Sequence, residues 1–576
     1  MFNKKNNKIK NSSISFKQMI KFYKNIKIPW ILVILTVVLT MVLKEAELMV
    51  VPYTSKIMTG AISENGFLVS FMVVTIAAAV AEALQGGINE IAALAMSRNV
   101  RRSVWGKLLT LPMSFFDKED TQGLVSRVTE DTTGAYGAIA ALIQVFSVGY
   151  GLYSSFHKMY ITYKSLALIM LSAVPVVFLT SWLVGKMQYK VIYITNNAIS
   201  KVTNFFGERL PNVMYIKSTN MEDEEYQKGV EANNERYKSL VKQERISIFM
   251  APISTFAQYL NQIILLLVAT ALVRSGTMKM FQLVNLYNYF LLFMSNAMMV
   301  TSVWQAIKRS QGSLSTIGRI MDGEDEELER GLDIPSDIQD ICFEDVSFSY
   351  DDQTQVLNNI SFTIPSCKVT AIVGENGCGK STILKLLERF NEVQRGTIRI
   401  GDNKLTDFNV TKWRDSIGYL FQGNQMIKGS IADNIRYGVG REVSDEEIIE
   451  AAKQANAYDF IMNKEDGFDT QISNFDSKCS GGELQRIAIA RIILKNPNYL
   501  IMDEATSGID TVCEQEVLKS IYQLMENKTV IMVTHDLNLI KKADHVVVLN
   551  KGIIESSGKY DQVLKESLLI QQFVEV

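Results

Sequence analysis

Six long apolar runs occupy most of the first 305 residues of this chain, and they set the strongest limit on its fold. They lie near residues 29–52, 67–97, 136–156, 163–185, 248–273 and 281–304. A bilayer core of about 30 Å is crossed by roughly 20 helical residues, and each run reaches that length. Buried helices of a large soluble protein are the alternative, but six such runs so close together do not fit it. The pattern predicts an all-α polytopic membrane domain with six transmembrane helices.

Basic residues indicate which ends of these helices face the cytosol. Residues 1–28 carry eight lysines and no acidic side chain. We predict that this segment is cytosolic and faces anionic lipid, with a disordered tail as the alternative. The inner segments are then 98–135 and 186–247, which are rich in charge and show apolar residues at helical spacing, so the membrane helices should extend into the cytosol. The expected location is the plasma membrane, of a bacterium, with the N-terminus and the C-terminal half inside.

Charge and cysteine usage exclude several classes of protein. The net charge is −2, which argues against a nucleic-acid partner held by bulk electrostatics. All five cysteines lie after residue 340 and form no CxxC pair, so zinc-finger and thioredoxin-type sites are not expected. Reduced thiols in a cytosolic domain fit this distribution. No small-x-small cleavage site follows the apolar core at 31–43, so no cleavable signal peptide is expected.

The chain changes character after the last apolar run. A charged connector, with the acidic stretch 322–329, leads to short β-like runs that start at Ile341 and alternate with helical stretches. Such alternation is typical of an α/β domain with a largely parallel core sheet. The predicted organisation is a basic N-terminal segment, a membrane domain, a linker and an α/β domain, with the bounds 1–28, 29–310, 311–340 and 341–576.

A phosphate-binding loop is predicted between one of these strands and the next helix. The stretch GENGCGKST fits the pattern GxxxxGK[ST] directly after the apolar strand KVTAIV. Glycines in this pattern let backbone N–H groups wrap the phosphates, the lysine reaches the β- and γ-phosphates, and the serine hydroxyl binds Mg²⁺. The domain is therefore predicted to be a P-loop NTPase that uses ATP and Mg²⁺. Its predicted phosphate-binding residues are Gly374, Asn376, Gly377, Cys378, Gly379, Lys380, Ser381 and Thr382.

Two carboxylates end a second apolar strand of the same domain. The strand YLIMD runs into Asp503 and Glu504. Asp503 is placed to order water around Mg²⁺, and Glu504 is placed to polarise the attacking water as the catalytic base. An acidic strand end is common on protein surfaces, but the phosphate-binding loop upstream favours the catalytic interpretation.

A short glycine motif lies between these two elements. Cys479-Ser480-Gly481-Gly482-Glu483 precedes LQRIAIARIIL. Here the chain closely resembles the ATP-binding cassette (ABC) family, whose signature usually reads LSGGQ. The resemblance spans residues 340–576 and extends to the six-helix membrane domain of the exporter type. In that domain LPMSFFDKEDTQGLVSRVTED (111–131) is similar to the first cytosolic coupling segment, and Pro52 matches a proline common at the outer end of the first helix.

The resemblance implies roles for individual residues. Tyr350 is similar to the aromatic residue that stacks on adenine, and Gln422 to the residue that links Mg²⁺ and the γ-phosphate to the membrane domain. The signature serine and glycines would contact the γ-phosphate bound to the opposite subunit. His535 would be the switch histidine, and Asp510 ends a loop that crosses the dimer interface. The implied signature contacts are Ser480, Gly481 and Gly482, and the implied metal ligands are Ser381, Gln422 and Asp503.

The signature motif also carries a physical argument for a dimer. Ser-Gly-Gly at the start of a long helix offers a hydroxyl, bare backbone N–H groups and a helix dipole, all of which suit phosphate. This site is too far along the chain from Lys380 to serve the same phosphate within one polypeptide. Two chains with ATP between them would use both, so we expect a dimer.

Several positions depart from the family pattern. Cys479 replaces the usual leucine and Glu483 the usual glutamine of the signature. Asn474 replaces an acidic residue found five positions before that leucine, and Ser507-Gly-Ile-Asp replaces the common SALD. Glu504 and His535 are intact, which favours a homodimer with two active sites. The altered signature leaves open a heterodimer in which a partner chain completes one site.

Two groups of residues carry weaker signals. Cys378 lies at a helix N-terminus beside a lysine, where its thiol pKa should fall and alkylation should stop hydrolysis, unless the thiol is an inert small side chain. Charged residues also lie inside the predicted spans. A Lys44–Glu82 pair or an interfacial location is one interpretation of them, and an acidic cavity for cationic cargo is the other. These charged residues are Lys44, Glu45, Glu47, Glu82 and Glu90.

The resemblance implies an ABC exporter half-transporter. Two copies would bind ATP at a shared interface, and the coupling segments near 111–125 and 215–226 would drive the membrane helices between inward-open and outward-open states. The substrate would be a peptide, a lipid or a drug-like amphiphile. An ATP-gated channel or sensor and an importer built on the exporter fold are the alternatives, and flux measurements separate them.

Overall fold

The structure is a computed structural model, and it describes most of the chain. The described residues are 22–23, 26–60, 66–117, 119, 124–125, 127–171, 175, 195, 198–199, 201–335, 337–350, 354–421, 423, 425–473, 479–504 and 511–575. They form two compact units. One comprises residues up to 111 and 119–324, and the other comprises 112–118 and everything from 325 onward. The division at 324 falls inside the predicted linker.

Long helices make up the N-terminal unit. The helices whose bounds lie within the described residues up to 321 are α1 (Trp30–Met58), α2 (Phe67–Thr110), α3 (Met113–Phe116), α4 (Thr132–Thr162), α5 (Lys164–Leu171), α6 (Val213–Ser218), α7 (Glu222–Arg274) and α8 (Met280–Met321), of which α3 belongs to the other unit. Residues 201–209 are also helical. A π-helical segment, Arg127–Asp131, precedes α4, and a 3₁₀ turn, Leu210–Asn212, precedes α6.

Local sequence explains where these helices begin and end. Helix α2 stops at Leu111, whose backbone is extended at φ −77° and ψ 144°, because the following Pro112 disfavours helical geometry in the residue before it. Helix α7 begins with four consecutive acidic residues, 222–225, and ends on Arg274. Negative charge at the N-terminus and positive charge at the C-terminus both stabilise the helix dipole. The 53-residue α7 contains Pro252, which removes one backbone donor from its interior.

Three described helices are long and apolar enough to cross a membrane: Phe67–Thr110, Tyr136–Thr162 and Met280–Trp304. A shorter apolar section, Gln262–Arg274, ends α7. Helix α1 covers the first predicted run but carries several charged residues among its apolar ones. Most of the predicted run 163–185 lies outside the described residues.

Apolar side chains join several of these helices within the unit. Leu286, Phe290 and Met294 of α8 are almost completely buried, and they belong to one cluster with Met159 of α4 and Leu265 of α7. In contrast, α2 exposes a row of large apolar side chains, each more than half accessible: Leu68, Val69, Met72, Val73 and Ile76. An apolar outer surface of this kind is expected for a helix in contact with lipid.

The C-terminal unit contains two main sheets. A four-stranded sheet with the order β2-β1-β4-β5 is antiparallel throughout. Its strands are β1 (Ile341–Ser349), β2 (Gln355–Ile364), β4 (Arg395–Ile400) and β5 (Asn403–Lys404). The first strand runs thus form an antiparallel layer that is separate from the largely parallel core sheet.

The second sheet has the strand order β12-β11-β3-β10-β9-β6. Only its edge strand β12 is antiparallel, so five neighbouring strands are parallel. The strands are β3 (Val369–Gly374), β6 (Ile417–Leu420), β9 (Tyr499–Asp503), β10 (Thr529–Val533), β11 (His545–Asn550) and β12 (Ile553–Gly558). A short pair, β7 (Gly429–Ser430) and β8 (Gln471–Ile472), completes the strands of the described residues.

Helices cover both faces of the parallel sheet. They are α9 (Lys380–Leu387), α10 (Val410–Asp415), α11 (Ile431–Arg436), α12 (Asp445–Gln454), α13 (Tyr458–Met462), α14 (Gly481–Lys495), α15 (Thr511–Met525), α16 (Leu537–Lys542), α17 (Tyr560–Glu566) and α18 (Leu568–Glu575), with 3₁₀ turns at Leu405–Asp407 and Gly467–Asp469. In open α/β sheets ligands bind outside the carboxyl ends of the parallel strands. The carboxyl ends of β3 and β9 are Gly374 and Asp503, where the sequence predicts the nucleotide site.

Candidate nucleotide-binding site

The phosphate-binding loop connects β3 to α9 and requires its glycines for two different reasons. Gly377 and Gly379 have φ values of +82° and +112°, a region that side chains rarely adopt. At Gly374 an added Cβ would clash with the carbonyl oxygen of Leu549, on the adjacent strand β11. The loop therefore keeps its shape only with glycine at these positions, and its backbone N–H groups remain accessible to a ligand.

Lys380 begins α9 and is directed into the loop. Its ammonium donates hydrogen bonds to the carbonyl oxygens of Gly374, at 2.7 Å, and Glu375, at 2.9 Å. The side chain is largely buried, so its charge is poorly screened by solvent. The next residue, Ser381, is exposed, as a ligand-binding hydroxyl must be.

Asp503 ends β9 and Glu504 follows it, as predicted, and the two carboxylates lie in different environments. Burial and the neighbouring Glu504 raise the pKa of Asp503, while Lys380 and a hydrogen bond from the Tyr419 hydroxyl oppose the shift. Glu504 has a left-handed backbone at φ +47°, and its N–H donates to the carbonyl of Val533 at 2.9 Å. Positive φ is uncommon outside glycine and often marks functional positions.

The predicted switch histidine, His535, lies next to Glu504, the predicted catalytic base. Its Nε2 is 3.7 Å from Oε1 of Glu504. Burial and the charge of Lys380 lower the pKa of His535, against the opposing effect of Glu504, which favours the neutral imidazole. Both residues line a cleft of ≈ 540 Å³ together with Glu375 and Asn376 of the phosphate-binding loop. The structure thus brings the predicted base, the predicted switch histidine and the loop to one open site.

Tyr350 lies in the same unit, beside α9. Its hydroxyl is 3.3 Å from Oγ1 of Thr382, and its ring is 46% exposed. The ammonium of Lys385 lies 5.4 Å from the centre of this ring. An exposed aromatic face next to the loop can receive a nucleobase by stacking.

The signature residues lie at the N-terminus of α14. Ser480 is the N-cap, and its Oγ accepts a hydrogen bond from the backbone N–H of Glu483 at 3.3 Å. Ser480, Gly481 and Gly482 are not among the residues that line the cleft formed by the loop, Glu504 and His535. Two further predicted site residues, Gln422 and Asp510, lie outside the described residues, as do Asn474 and residues 507–509.

Sequence reasoning missed two residues of this site. Tyr419 of β6 is bonded to Asp503, and burial beside Glu388 and Asp503 raises its pKa. Glu388 follows α9 and is 7% exposed, and burial raises its pKa to about 8. The signal for Tyr419 was its position in a short apolar strand just before Gln422, whereas no local pattern distinguishes Glu388 from an exposed glutamate.

The structure also tests two weaker predictions. The predicted fall in the thiol pKa of Cys378 is wrong: the side chain is buried, and burial raises the pKa more than the lysine charge and backbone hydrogen bonds lower it. The predicted Lys44–Glu82 pair is wrong, because Lys44 binds Glu47 at 3.0 Å. The described cysteines Cys342, Cys367, Cys378 and Cys479 form no disulfide.

The geometry defines a P-loop ATPase domain that follows a helical membrane domain on one chain. Comparison with known families identifies both parts. The model of the family described as "ABC transporter" matches residues 357–507, and the one described as "ABC transporter transmembrane region" matches residues 30–298. The chain belongs to the ABC transporter family. It is a multi-pass membrane protein with an ATP-binding domain, and its ATPase is coupled to transport.

Named relatives agree with this assignment over most of the chain. A "Multidrug resistance ABC transporter ATP-binding and permease protein" of Lactococcus lactis subsp. cremoris (strain MG1363) is 30% identical over 83% of this chain and 81% of its own length. An "ATP-dependent lipid A-core flippase" of Escherichia coli (strain K12) is 29% identical over 81% of this chain and 80% of its own.

A solved structure titled "Structure of a bacterial Atm1-family ABC exporter with ATP bound" has the same fold. It matches with a TM-score of 0.82 at 23% identity, over 94% of this chain and 98% of that one. The prediction of an exporter-type ABC half-transporter, with a membrane domain fused to a nucleotide-binding domain, is thus confirmed. None of the relatives named here is described as an importer or a channel, so these two alternatives are not favoured.

Proposed function

We propose that two copies of this chain form a pump that exports an amphiphilic compound, such as a lipid, a peptide or a drug-like molecule. The nucleotide-binding domains and the N-terminus lie in the cytosol of a bacterial cell, and the membrane domain spans its plasma membrane. Relatives named for multidrug resistance and for a lipid A-core flippase support an amphiphilic cargo. The observation on which the proposal rests is the cleft that joins Glu504 and His535 to the phosphate-binding loop.

Within one active site each residue has a distinct task. Lys380 and the loop backbone bind the β- and γ-phosphates, and Tyr350 stacks on the base. Glu504 polarises the attacking water, and the neutral His535 beside it is placed to contact the γ-phosphate. A base at the cleft, within reach of a bound phosphate, is the arrangement that in-line attack by water requires.

The residues present fit Mg²⁺ as the metal of this site. Ser381 and Asp503 supply a hydroxyl and a carboxylate, and both are oxygen ligands of the kind that Mg²⁺ prefers. The described residues hold no cluster of three or more His, Cys, Asp or Glu side chains that could bind a metal alone. Mg²⁺ characteristically binds through one or two protein ligands and the substrate phosphates, and it neutralises developing charge there. Gln422 is proposed as a further ligand.

The second copy completes each site through its signature motif. The N-terminus of α14 presents the Ser480 hydroxyl and the N–H groups of two glycines, and it is not part of its own chain's cleft. We propose that Ser480, Gly481 and Gly482 bind the γ-phosphate held by Lys380 of the other copy, and that Asp510 lies at the interface. We propose a homodimer, because this chain carries both Glu504 and His535, so that each of two identical copies can supply an active site. A heterodimer is the alternative that the altered signature permits.

Two of the membrane carboxylates, Glu45 and Glu47, are held by neighbouring side chains, which disfavours a free acidic cavity formed by them. Oε1 of Glu45 accepts hydrogen bonds from the hydroxyls of Tyr150, at 2.9 Å, and Ser154, at 3.0 Å. Glu47 is paired with Lys44. These bonds link α1 to α4 and stabilise charge at membrane depth, so we assign them to packing of the helices rather than to cationic cargo.

The central test is the substitution Glu504→Gln. The variant keeps the size of the side chain and removes the carboxylate, so ATP binding should persist while hydrolysis falls by two orders of magnitude or more, about the contribution of general base catalysis. Hydrolysis by purified protein and equilibrium binding of labelled ATP measure the two effects. Wild-type turnover in the variant would refute the role of Glu504. In proteoliposomes, ATP-dependent flux of a fluorescent amphiphile away from the nucleotide side tests export.

A further inference from the structure

Glu483 places a negative charge at the phosphate-binding end of α14. Its carboxylate Oε2 accepts a hydrogen bond from the N–H of Ser480 at 2.8 Å, and Ser480 accepts in return from the N–H of Glu483. This reciprocal capping stabilises the helix. The usual signature has a neutral glutamine at this position. A carboxylate here offsets the helix dipole and repels an approaching phosphate, so the substitution needs a compensating charge.

Lys464 supplies such a charge. Its Nζ lies 3.3 Å from one carboxylate oxygen of Glu483 and 3.2 Å from the other. The two side chains are 21% and 20% exposed, so solvent screens them less than it screens an open surface pair. Lys464 lies outside α14, between α13 and the 3₁₀ turn at Gly467, and its backbone N–H donates to the carbonyl of Ile461. The compensating charge is therefore held by a neighbouring turn.

We propose that Lys464 is a positioning residue for ATP. It neutralises Glu483, and the N-terminus of α14 thereby keeps the positive potential that attracts the γ-phosphate carried by the other copy. This inference rests on the proposed function, in which the signature motif faces the ATP of the partner. It adds a charged residue from outside the signature to the γ-phosphate site. The simpler alternative is that the ion pair only fastens α14 to the preceding turn.

A double-mutant cycle separates these two roles. The full-length proteins are wild type, Lys464→Met, Glu483→Gln and the double variant, and kcat and KM for Mg-ATP are measured with a thermal melting curve for each. If Lys464 neutralises Glu483, Lys464→Met lowers kcat/KM by about five-fold at low salt, chiefly through KM, as expected for an unpaired charge near a phosphate. In the Glu483→Gln background the same change has an effect of less than about two-fold, because no carboxylate is left to neutralise.

Two further variants serve as controls. Lys464→Arg keeps the charge and should retain activity within about two-fold of wild type. Lys453→Met removes a lysine of α12 that lies 5.4 Å from the ring centre of Tyr458, in the same unit but outside the Glu483 pair. This variant should leave KM unchanged. An equal loss from Lys464→Met in both backgrounds, including loss through misfolding, would show a fastening role and overturn the proposal. So would the absence of any loss.

A last variant distinguishes failure of this inference from failure of the proposed function. Gly482→Asp introduces a charge at the signature itself. If Gly482→Asp hydrolyses ATP at the wild-type rate, the signature does not face ATP, and both the inference and the dimer mechanism fail. If Gly482→Asp is inactive while the effect of Lys464→Met does not depend on Glu483, only the role of Lys464 is wrong.

Discussion

The thiol of Cys378 lies inside the phosphate-binding loop, against Gly374, and only 6% of the residue is exposed. A helix N-terminus and a nearby ammonium favour the thiolate, but desolvation disfavours any charged form. Burial is the largest influence on this thiol, and the pKa rises. The helix N-terminus and the lysine can be recognised in the sequence, but the burial of the thiol cannot. The reactivity of Cys378 could therefore not be predicted from its sequence neighbours.

Slow alkylation of Cys378 is the expected result. At pH 7 its thiolate fraction is small and access is poor, so N-ethylmaleimide should modify the exposed Cys367 at least about ten times faster. Peptide mass spectrometry after timed labelling of nucleotide-free protein gives both rates. Equal rates at the two positions would contradict the buried, protonated thiol.

Glu388 makes stability depend on pH in a definite direction. Burial raises its pKa to about 8 in the folded protein, from 4.5 in the unfolded chain. Between these values the folded state holds a proton that the unfolded state releases, so the free energy of unfolding decreases as pH rises from about 5 to 8. Replacing Glu388 by Gln removes this titrating carboxyl. The free energy of unfolding of the variant should therefore decrease less than that of wild type between about pH 5 and 8.

Melting temperatures at pH 6 and pH 9 measure this difference in nucleotide-free protein. Between pH 6 and pH 9 the melting temperature of wild type should fall by several degrees more than that of Glu388→Gln. The two proteins should differ less at pH 6 than at pH 9. Glu392→Gln, which changes an exposed glutamate four residues later, is the control and should follow wild type. A parallel decline in wild type and Glu388→Gln would show that the Glu388 carboxyl is not the group that titrates.

At the scale of elements, the short helix α3 belongs to the nucleotide-binding unit although it follows the long membrane helix α2. Asp117, which ends α3, has its Oδ1 3.8 Å from Nζ of Lys385 on α9. Lys385 in turn lies against the ring of Tyr350. The predicted coupling segment therefore contacts the helix that begins at the phosphate-binding loop.

Asp117→Asn should weaken coupling more than catalysis. The pair is about one-third exposed, and exposed pairs contribute at most about 1 kcal/mol, so stimulation of ATPase by cargo should fall by about two- to three-fold. ATPase activity in proteoliposomes, with and without a stimulating amphiphile, measures the ratio. Asp333→Asn breaks an exposed pair with Lys412 in the same unit and serves as the control. Full stimulation in Asp117→Asn would exclude a role for this contact.

Strands of both sheets were predicted, but their division into a parallel and an antiparallel sheet was not. Strands β9 and β10 are apolar and almost fully buried, as the predicted parallel core required. Strand β2 alternates between exposed and buried residues along most of its length, which is typical of an antiparallel sheet with one solvated face. That alternation was visible in the sequence. Strand β6 has only four residues, too few for a pattern to identify.

Contacts that are local in sequence were also more predictable than distant ones. Lys44 pairs with Glu47 three residues away, which helical spacing alone could have indicated. Glu45 is bound by Tyr150 and Ser154, more than a hundred residues later. Only the packing of α1 against α4 creates that site, and no local pattern encodes it.

At the scale of the whole molecule, the motifs were sufficient to predict where the nucleotide site lies, because each motif follows a strand at the carboxyl edge of the parallel sheet. The loop after β3 and the carboxylates after β9 meet at one edge of the parallel sheet, so their proximity follows from topology. The structure of one chain does not reveal what the signature motif faces. A site shared between two copies takes half of its residues from the other copy.

Mixed dimers test this shared site. A Lys380→Ala chain and a Gly482→Asp chain should each be inactive alone. Combined, they retain one site with the lysine from the second chain and the signature from the first, so single-turnover hydrolysis should reappear at up to about half the wild-type amplitude. Co-purification through two different tags isolates the mixed species. No recovery in a mixed dimer that binds ATP would contradict a signature acting between copies.

Helix α7 runs without interruption over 53 residues, from Glu222 to Arg274. At 1.5 Å per residue it is about 80 Å long, so any tilt of the helix acts over a long arm. A tilt of about 5° about one end carries the opposite end through about 7 Å, more than the pitch of one helical turn, about 5.4 Å. Small angular adjustments near its charged beginning are thus magnified at its apolar end, without any bond along the rod having to break.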